Sequence, residues 1–397
     1  MKINTETKKI EEVLSRGVEE VIVKEDLRKR LLSGDTLRIK LGIDPTSPNL
    51  HIGRSIPLLK LRDFQELGHQ IVFIVGDFTG VIGDTSDKES ERPMLERERV
   101  AENMKNYVAQ AGKIIDIGKC EVSYNSEWLE SLTYREIGTQ ADQFSLAEFI
   151  SRENIRRRLD AGTRVSLREL LYPLMQGYDS VAVKADVEIG GTDQRFNLLA
   201  GRTLQLSYGE KPQNILMNPL LVGTDGRKMS SSWGNTVNLT AEPDDMFGKI
   251  MTIPDELIVK YFTLVTRVPM ETIVDYRNQL EAGANPRDIK AALAREMVKM
   301  YHSFELAQKA EEQFENLFKK HEMPDEIPTF STGGSSVLLA DALVSSGFVS
   351  SKTDARRQIE QGGVKVDGII VKDPFCVVVV GSVIQKGKRF FIRITKE

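Results

Sequence analysis

Two short segments hold the residues best suited to chemistry on an anion. The first is Asp44-Pro45-Thr46-Ser47-Pro48-Asn49-Leu50-His51-Ile52-Gly53-Arg54, and the second is Asp225-Gly226-Arg227-Lys228-Met229-Ser230-Ser231-Ser232. Ahead of the first, the apolar run 37–43 reads as a strand, and Pro45 and Pro48 rule out an immediate helix. Apolar spacing resumes at Ile52, Ile56, Leu59 and Leu67 as a helix. His51 and Gly53 thus stand where a strand's carboxyl end becomes a helix amino end. That corner aims backbone N–H groups and a positive dipole end at an anion. Gly53 lets a purine or phosphate approach the backbone closely, while Thr46 and His51 add hydroxyl and imidazole donors. In the second segment Gly223, Gly226 and Gly234 flank Arg227, Lys228 and three serines, giving a bendable phosphate clamp rich in donors. Alone, each segment also fits a plain surface corner or a solvated linker. Together they favour a phosphate site.

A third group lies between them. Tyr172, Gln176 and Asp179 follow i, i+4, i+7 spacing, so they share one helical face and can line one pocket. Three polar residues on one face fit a core poorly.

The elements that must position these groups alternate between strand and helix through about residue 222. Strands are expected at 37–43, 70–75, 181–189 and 215–222, with helices between them, as in an α/β domain with a mostly parallel sheet. Ligands of such sheets bind beyond the carboxyl ends of the strands. His51 follows the first strand, Asp77 and Asp84 the second, and Asp193 the third, so the candidates converge on one rim. A long charged stretch, 94–170, interrupts the alternation. After the serine loop, Leu293, Met297, Met300, Phe304, Ala307, Phe314 and Leu317 recur as on one face of a long helix. Pro324, Pro328 and Gly333-Gly334 then mark a linker. The final segment reads as two short helices from Val337 and Ser351, a Gly-rich turn, and β runs ending at Ile394.

The 397 residues suffice for two or three domains with a real core. Charge is nearly balanced at −4, which argues against a blanket nucleic-acid binder. It is unevenly placed, however: residues 336–397 hold ten Lys/Arg against six Asp/Glu, a basic tail on an acidic body. Such a tail suggests a local polyanion site. Cys120 and Cys376 lack metal-ligand spacing and suit a reducing compartment, and His69, His302 and His321 show no partner spacing. No protein-bound metal is expected. The amino terminus has no apolar signal core and no run approaches a membrane span, so a soluble, cytoplasmic protein is expected.

The two phosphate segments resemble the HIGH and KMSKS signatures of class I aminoacyl-tRNA synthetases. Tyr172-Pro173-Leu174-Met175-Gln176-Gly177-Tyr178-Asp179 and Ile189-Gly190-Gly191-Thr192-Asp193-Gln194 resemble the amino-acid and ribose motifs of the tyrosyl-tRNA synthetases. Residues 337–394 closely resemble the S4 RNA-binding domain. The resemblance runs from roughly residue 10 to the carboxyl end.

That likeness implies a Rossmann-like α/β catalytic domain over 1–230, with a dimer-forming insertion at about 94–170. A helical domain at 231–328 and a small α+β S4 domain at 336–397 would follow. It implies a homodimer that joins L-tyrosine, MgATP and tRNA(Tyr). The tyrosine carboxylate attacks the α-phosphate, pyrophosphate leaves, and tyrosyl passes to the terminal ribose of the tRNA. By the same likeness Thr46, His51, Arg54, Lys88, Arg92, Lys228 and Ser231 act on the phosphates, Lys88 and Arg92 from a basic loop. Gly42, Asp44, Gly53, Gly191, Asp193, Gln194 and Met229 complete the ATP site. Asp84, Tyr172, Gln176 and Gln194 hold the amino acid, Asp179 accepts from its phenol, and Lys40 stands near that hydroxyl. Lys352, Arg356, Arg357 and Lys365 face RNA. Three positions depart from the family pattern: Arg54 replaces a histidine, Ser231 a lysine, and Lys40 a tyrosine of some relatives.

Other classes fit less well. A dinucleotide-binding dehydrogenase would want GxGxxG after its first strand, and none is there. A non-catalytic RNA-binding paralogue would not need Thr46, His51, Asp84, Asp179, Asp193 and Lys228 together. A tryptophan-activating enzyme is opposed by Asp179 and by the S4 segment.

Overall fold

The computed structural model describes residues 3–85, 94–319, 327–349, 351–387 and 390–396. The chain forms two compact units, one of residues 1–242 and 249–301, the other of 243–248 and 302–397. Residues 249–301 group with the first unit, where the helix Ile258–Val265 packs on the helix Ile52–Glu66.

The first unit is built on a six-stranded sheet. Its strands are β1 (Glu20–Ile22), β2 (Arg38–Ile43), β3 (Gln70–Val75), β4 (Cys120–Tyr124), β5 (Val187–Gly191) and β6 (Asn214–Asn218), in the order β1-β6-β5-β2-β3-β4. Only β1 runs antiparallel; the rest pair in parallel. The central strands are apolar on both faces, as Ile71, Val72, Phe73 and Ile74 show by their full burial. Chain order reverses between β2 and β5, which opens a crevice at their carboxyl ends.

Three helices frame that crevice. The helix Ile52–Glu66 leaves β2 and buries Ile52, Ile56, Leu58, Leu59, Leu61 and Phe64. Each such side chain contributes roughly 1.5–3 kcal/mol. The helix Leu167–Ala182 starts at a capping box, in which the Ser166 side chain accepts from Arg168 N–H and Glu169 accepts from Ser166 N–H. The helix Arg195–Ser207 packs against it. Gly177 makes that approach possible, because a Cβ there would lie 3.0 Å from Leu204 and 3.1 Å from the Ala200 backbone.

The sequence expectations are corrected in four places. The strand expected at 181–189 begins only at Val187. Val181 and Ala182 end a helix, Lys184 takes a left-handed φ of 50°, and Val183 and Ala185 pack on Val72 and Ile74. Their alternation mimics a strand. The strand expected at 215–222 stops at Asn218, where Pro219 removes the next donor. The 94–170 stretch is no pure insertion, because β4 inside it pairs with β3. The long helix is two, Pro286–Tyr301 and Phe304–Lys319, with the Ser303 hydroxyl accepting from Leu306 N–H at the break. Phe304 consequently stands 51% exposed.

The second unit contains the helix Phe304–Lys319 and a small α+β fold. Strands β7 (Thr329–Ser331), β9 (Val364–Val366), β10 (Ile369–Ile370), β12 (Val383–Lys386) and β13 (Phe390–Thr395) form a sheet ordered β10-β9-β12-β13-β7. A ribbon joins β8 (Ser336–Leu338) to β11 (Val377–Val379). Helices Leu339–Ser345 and Lys352–Glu360 seal a core of Leu339, Leu343, Ile359, Val364, Ile384 and Ile394. Among the described residues no helix is long and apolar enough to cross a membrane.

Candidate active site

A cleft of about 280 Å³ opens at the β2/β5 crevice. Gly42, Asp44, Thr46, His51, Gly53 and Arg54 line one side of it, from β2, the turn that follows and the first turn of the helix Ile52–Glu66. Asp84, Tyr172, Gln176 and Asp179 line the inner end. Gly191, Asp193, Gln194, Lys228, Met229 and Ser231 close the far side. Residues expected from five separate stretches therefore meet in one cavity. Lys88 and Arg92 lie outside the described residues.

The inner end is a polar network inside protein. The Tyr172 hydroxyl donates to Asp44 Oδ2 at 2.8 Å, and Thr79 Oγ1 donates to Asp44 Oδ1 at 2.7 Å. Asp44 keeps part of its surface open to the cleft, yet protein surrounds it closely. That burial pushes its carboxyl up to about 6, against the opposing hydrogen bonds from Thr79 and Tyr172. Burial, then the nearby Asp44 charge, raises the Tyr172 phenol well above its ordinary value. Gln194 Nε2 donates to Asp84 Oδ2 at 2.7 Å, and Asn197 Nδ2 donates to Gln194 Oε1 at 2.9 Å.

Asp179 is buried, 3% exposed. It accepts from Trp128 Nε1 at 2.8 Å and from Asn125 Nδ2 at 3.4 Å. Burial pushes it up to about 7, opposed chiefly by the positive charge of Lys40 and the Trp128 hydrogen bond. A carboxyl so placed is costly to charge and strongly favours a further donor.

His51 precedes the first turn of the helix Ile52–Glu66 in extended conformation. Ile52 N–H donates to Val237 O and Leu239 N–H to Leu50 O, which clips the turn to the chain after the serine loop. His51 is buried, and its Nδ1 has no protein partner among the described residues. Burial, reinforced by Arg54 and Lys228, holds the ring down to about 3, so it is neutral at physiological pH. A Cβ on Gly53 would lie 3.0 Å from the His51 ring, so glycine keeps that face open.

The serine loop is more structured than its glycines suggested. Met229 N–H donates to Leu221 O at 2.8 Å and Gly223 N–H to Arg227 O at 2.6 Å, forming a small hairpin. Asn235 staples it, accepting from Ser230 N–H at 2.9 Å and donating to Asp225 Oδ1 at 2.7 Å and Lys228 O at 3.0 Å. The hydrogen bond from Asn235, then those from Arg227, hold Asp225 down to about 2. Lys228 Nζ lies 2.9 Å from Asp193 Oδ2, which carries the clamp cation across to the β5 side.

Lys40 is corrected. Its ammonium does not line the cleft; it sits wholly buried behind the wall, donating to Gln176 O, Ser180 Oγ and Glu188 at 2.8–2.9 Å. Sequence reasoning also missed Gly76, Thr79, Asn125, Trp128, Glu188 and Asn235. The signal for Asn125 and Trp128 was a strand end hidden in the charged 94–170 stretch. For Gly76 it was its place directly after the strand 70–75.

On the other unit, Lys352, Arg356 and Arg357 share the helix Lys352–Glu360, and Lys365 lies on β9. Lys352 pairs with Asp341 at 2.7 Å, Arg357 with Asp354 at 2.5 Å, and Arg356 stacks over Phe375. Exposed pairs of this kind are worth about 0–1 kcal/mol, so a phosphate can compete for them.

Comparison with known proteins agrees with this geometry. Residues 32–319 match the family model of class I tRNA synthetases for tryptophan and tyrosine, and 338–384 match the S4 domain. A tyrosine–tRNA ligase of Dehalococcoides mccartyi is 46% identical over 390 residues, 98% of each chain. One from Thermotoga maritima is 44% identical over 387 residues, 96% of each. Among solved structures, the tyrosyl-tRNA synthetase of Archaeoglobus fulgidus complexed with L-tyrosine superposes with a TM-score of 0.62 at 24% identity, over 77% of this chain and 99% of that one. The truncated mitochondrial enzyme of Aspergillus nidulans gives 0.65 at 21% identity, over 78% and 94%.

Proposed function

Because this chain belongs to the class I tRNA synthetases for tryptophan and tyrosine, and acts as a tyrosine–tRNA ligase with ATP as substrate, we propose a role for each group in the cleft. The observation that carries the assignment is Asp179, a carboxylate buried at the closed end of an amino-acid-sized pocket. A phenol O–H adds a donor to the two from Trp128 and Asn125; a phenylalanine ring offers none and forgoes a charge-assisted bond worth about 1.5–3 kcal/mol. Tyr172, Gln176 and Asp84 offer oxygen acceptors to the substrate ammonium. These contacts leave the amino acid's carboxylate facing the ATP side.

On that side Gly42 offers bare backbone, with open space where a Cβ would stand, so a nucleotide can lie against β2. Asp193 and Gln194 hold the ribose and the amino acid, while Gly191, Gly53 and Met229 shape the base site. Asp44 supports this region through Thr79 and Tyr172. The ATP arrives as MgATP, its hard cation held by phosphate oxygens and water. The tyrosine carboxylate attacks the α-phosphorus and the bond to pyrophosphate breaks. Thr46, His51 and Arg54 donate to charge that builds on the phosphates, joined by Lys228 and Ser231 from the serine hairpin. Neutral His51 donates a hydrogen bond without needing to lose a proton. Lys88 and Arg92 are assigned to the leaving pyrophosphate by the sequence motif alone.

Transfer then delivers tyrosyl to the 3′-terminal ribose of tRNA(Tyr), with Lys352, Arg356, Arg357 and Lys365 contacting RNA phosphates. We assign a homodimer through the 94–170 region, where Tyr134, Leu146, Leu159 and Leu167 stand exposed on one stretch of chain. Two unpaired thiols, Cys120 and Cys376, suit the cytoplasm. Incubation with labelled tyrosine and MgATP, followed by rapid desalting, tests the first step. Label should elute with the protein as an acid-stable, tRNA-dischargeable adenylate. No label with the protein in the presence of ATP, or equal label when ATP is omitted, would contradict the mechanism.

A further inference from the structure

Behind the tyrosine pocket lies a buried ion pair that the activation chemistry does not use directly. Lys40 on β2 and Glu188 on β5 are direct cross-strand neighbours on one face of the sheet. Their side chains are 0% and 2% exposed, with Nζ and Oε1 2.9 Å apart. The ammonium has three donors, and all three are taken: Glu188 Oε1, the Gln176 carbonyl at 2.9 Å and Ser180 Oγ at 2.8 Å. It therefore has none to offer a substrate. What it grips instead is one turn of the helix Leu167–Ala182, between Gln176 and Ser180, the turn that carries Asp179.

Glu188 reaches the same helix through a side chain. Its Oε1 accepts from Gln176 Nε2 at 3.3 Å, while Oε2 accepts from Ser180 Oγ at 3.2 Å and from Gln213 Nε2 at 2.5 Å. An amide whose N–H₂ faces a carboxylate must turn its carbonyl elsewhere. For Gln176, which lines the cleft, that leaves Oε1 as the acceptor for a substrate ammonium. Space for the network is reserved at Gly201, where a Cβ would lie 2.6 Å from Gln213 Nε2 and 2.8 Å from Ser180 Oγ. A buried pair is seldom retained for stability, because desolvation offsets most of its attraction.

We propose that Lys40 and Glu188 are positioning residues for amino-acid selection: Glu188 sets the orientation of the Gln176 amide, and Lys40 fixes the helical turn that presents Gln176 and Asp179 to the substrate. The inference rests on the tyrosine-pocket reading above. It replaces a direct substrate contact at Lys40 with one made through the helix.

The test is a cycle between Gln176→Ala and the paired change Lys40→Met with Glu188→Met, which removes both charges together. Pyrophosphate exchange gives KM for tyrosine, KM for ATP and kcat, and thermal unfolding is followed alongside. A charged hydrogen bond lost or misaimed corresponds to about tenfold, so the paired variant should raise the tyrosine KM about tenfold. The ATP KM and kcat should stay within about twofold, and in the Gln176→Ala background the paired change should add less than about twofold. Glu188→Asp keeps the charge pair but retracts the carboxylate from Gln176, and should give the same selective rise if the paired variant fails to fold. An altered melting temperature with unchanged tyrosine KM would mark a purely structural pair and overturn the inference. So would an equal loss in both backgrounds. No change in tyrosine KM for Gln176→Ala alone would overturn the pocket reading, and this inference with it.

Discussion

Replacing Asp179 by Asn is the most searching change to the pocket, because it removes a charge and almost no volume. The asparagine carbonyl can still accept from Trp128 Nε1, now 2.8 Å away, and only the longer Asn125 contact at 3.4 Å is lost. What disappears is the charge-assisted bond proposed for the substrate phenol. Such bonds are worth about 1.5–3 kcal/mol, so kcat/KM for tyrosine should fall roughly 10- to 150-fold. Phenylalanine never makes that bond, and its kcat/KM should hold or rise, so discrimination narrows by at least the same factor. A pH series adds an independent readout. Burial puts Asp179 at about 7, so kcat/KM for tyrosine should climb as pH rises through 7 and then level; the variant should lack that inflexion. The stability sign follows from the raised value. The residue's contribution is fully present below about pH 4 and is lost as pH rises through 7, by up to roughly 4 kcal/mol. Asp179→Asn should therefore gain stability over the parent at pH 8 and gain none at pH 4. Steady-state pyrophosphate exchange with both amino acids, and denaturant unfolding at the two pH values, measure this. Equal losses for tyrosine and phenylalanine would refute a phenol-facing carboxylate.

Four further outcomes follow from the geometry. Gly76→Ala would bring a Cβ within 2.1 Å of Asp44 Oδ1 and 2.4 Å of Thr79 Oγ1, so the Asp44–Tyr172 bond must shift. Exchange activity should drop about 100-fold, as expected for a displacement near 1 Å, and the variant's rate measures it. His51, held down to about 3, stays neutral from pH 5 to 8, so His51→Asn should lower exchange by one constant factor across that range. Its folded value is depressed, so its stability contribution is full above about 6.5 and is lost only as pH falls towards 3. An inflexion near 6.5 that vanishes in the variant would contradict this. Asn235→Ala frees the serine hairpin from three hydrogen bonds and should cut kcat about tenfold with tyrosine KM unchanged, in exchange assays varied in both substrates. Arg356→Glu should leave exchange intact, abolish tRNA charging at physiological salt and flatten the salt dependence of tRNA binding.

The sequence made the sheet and the site legible to different depths. Thr46, His51, Asp193 and Lys228, expected on turns and strand ends, all line the cleft, because strand-end positions of a parallel sheet converge on one rim. Tyr172, Gln176 and Asp179 stood out through the family motif, and their helical spacing put them on one face, as the helix Leu167–Ala182 has them. Partners recruited across the sheet were not. Asn125 and Trp128 reach Asp179 only because β4 pairs with β3, and nothing local in Asn125-Ser126-Glu127-Trp128 announces that pairing. Lys40 misled for a similar reason. Its neighbour is Glu188, on a strand distant in sequence, and a lysine opposite a glutamate on a buried sheet face turns inward rather than toward ligand. The apolar alternation at Val181, Val183 and Ala185 imitated a strand because a helix end and a strand bury such residues equally well. Asn235 escaped notice because its stapling role depends on the hairpin closing over it.

The most direct test of tyrosine activation in this cleft is amino-acid-dependent exchange of pyrophosphate into ATP, with tyrosine, phenylalanine and tryptophan in parallel. Exchange is expected with tyrosine, with the other two near background. Exchange with tryptophan in preference, or none from folded protein with any of the three, would contradict the central claim and place the fault at Asp179 or at Arg54 and Ser231.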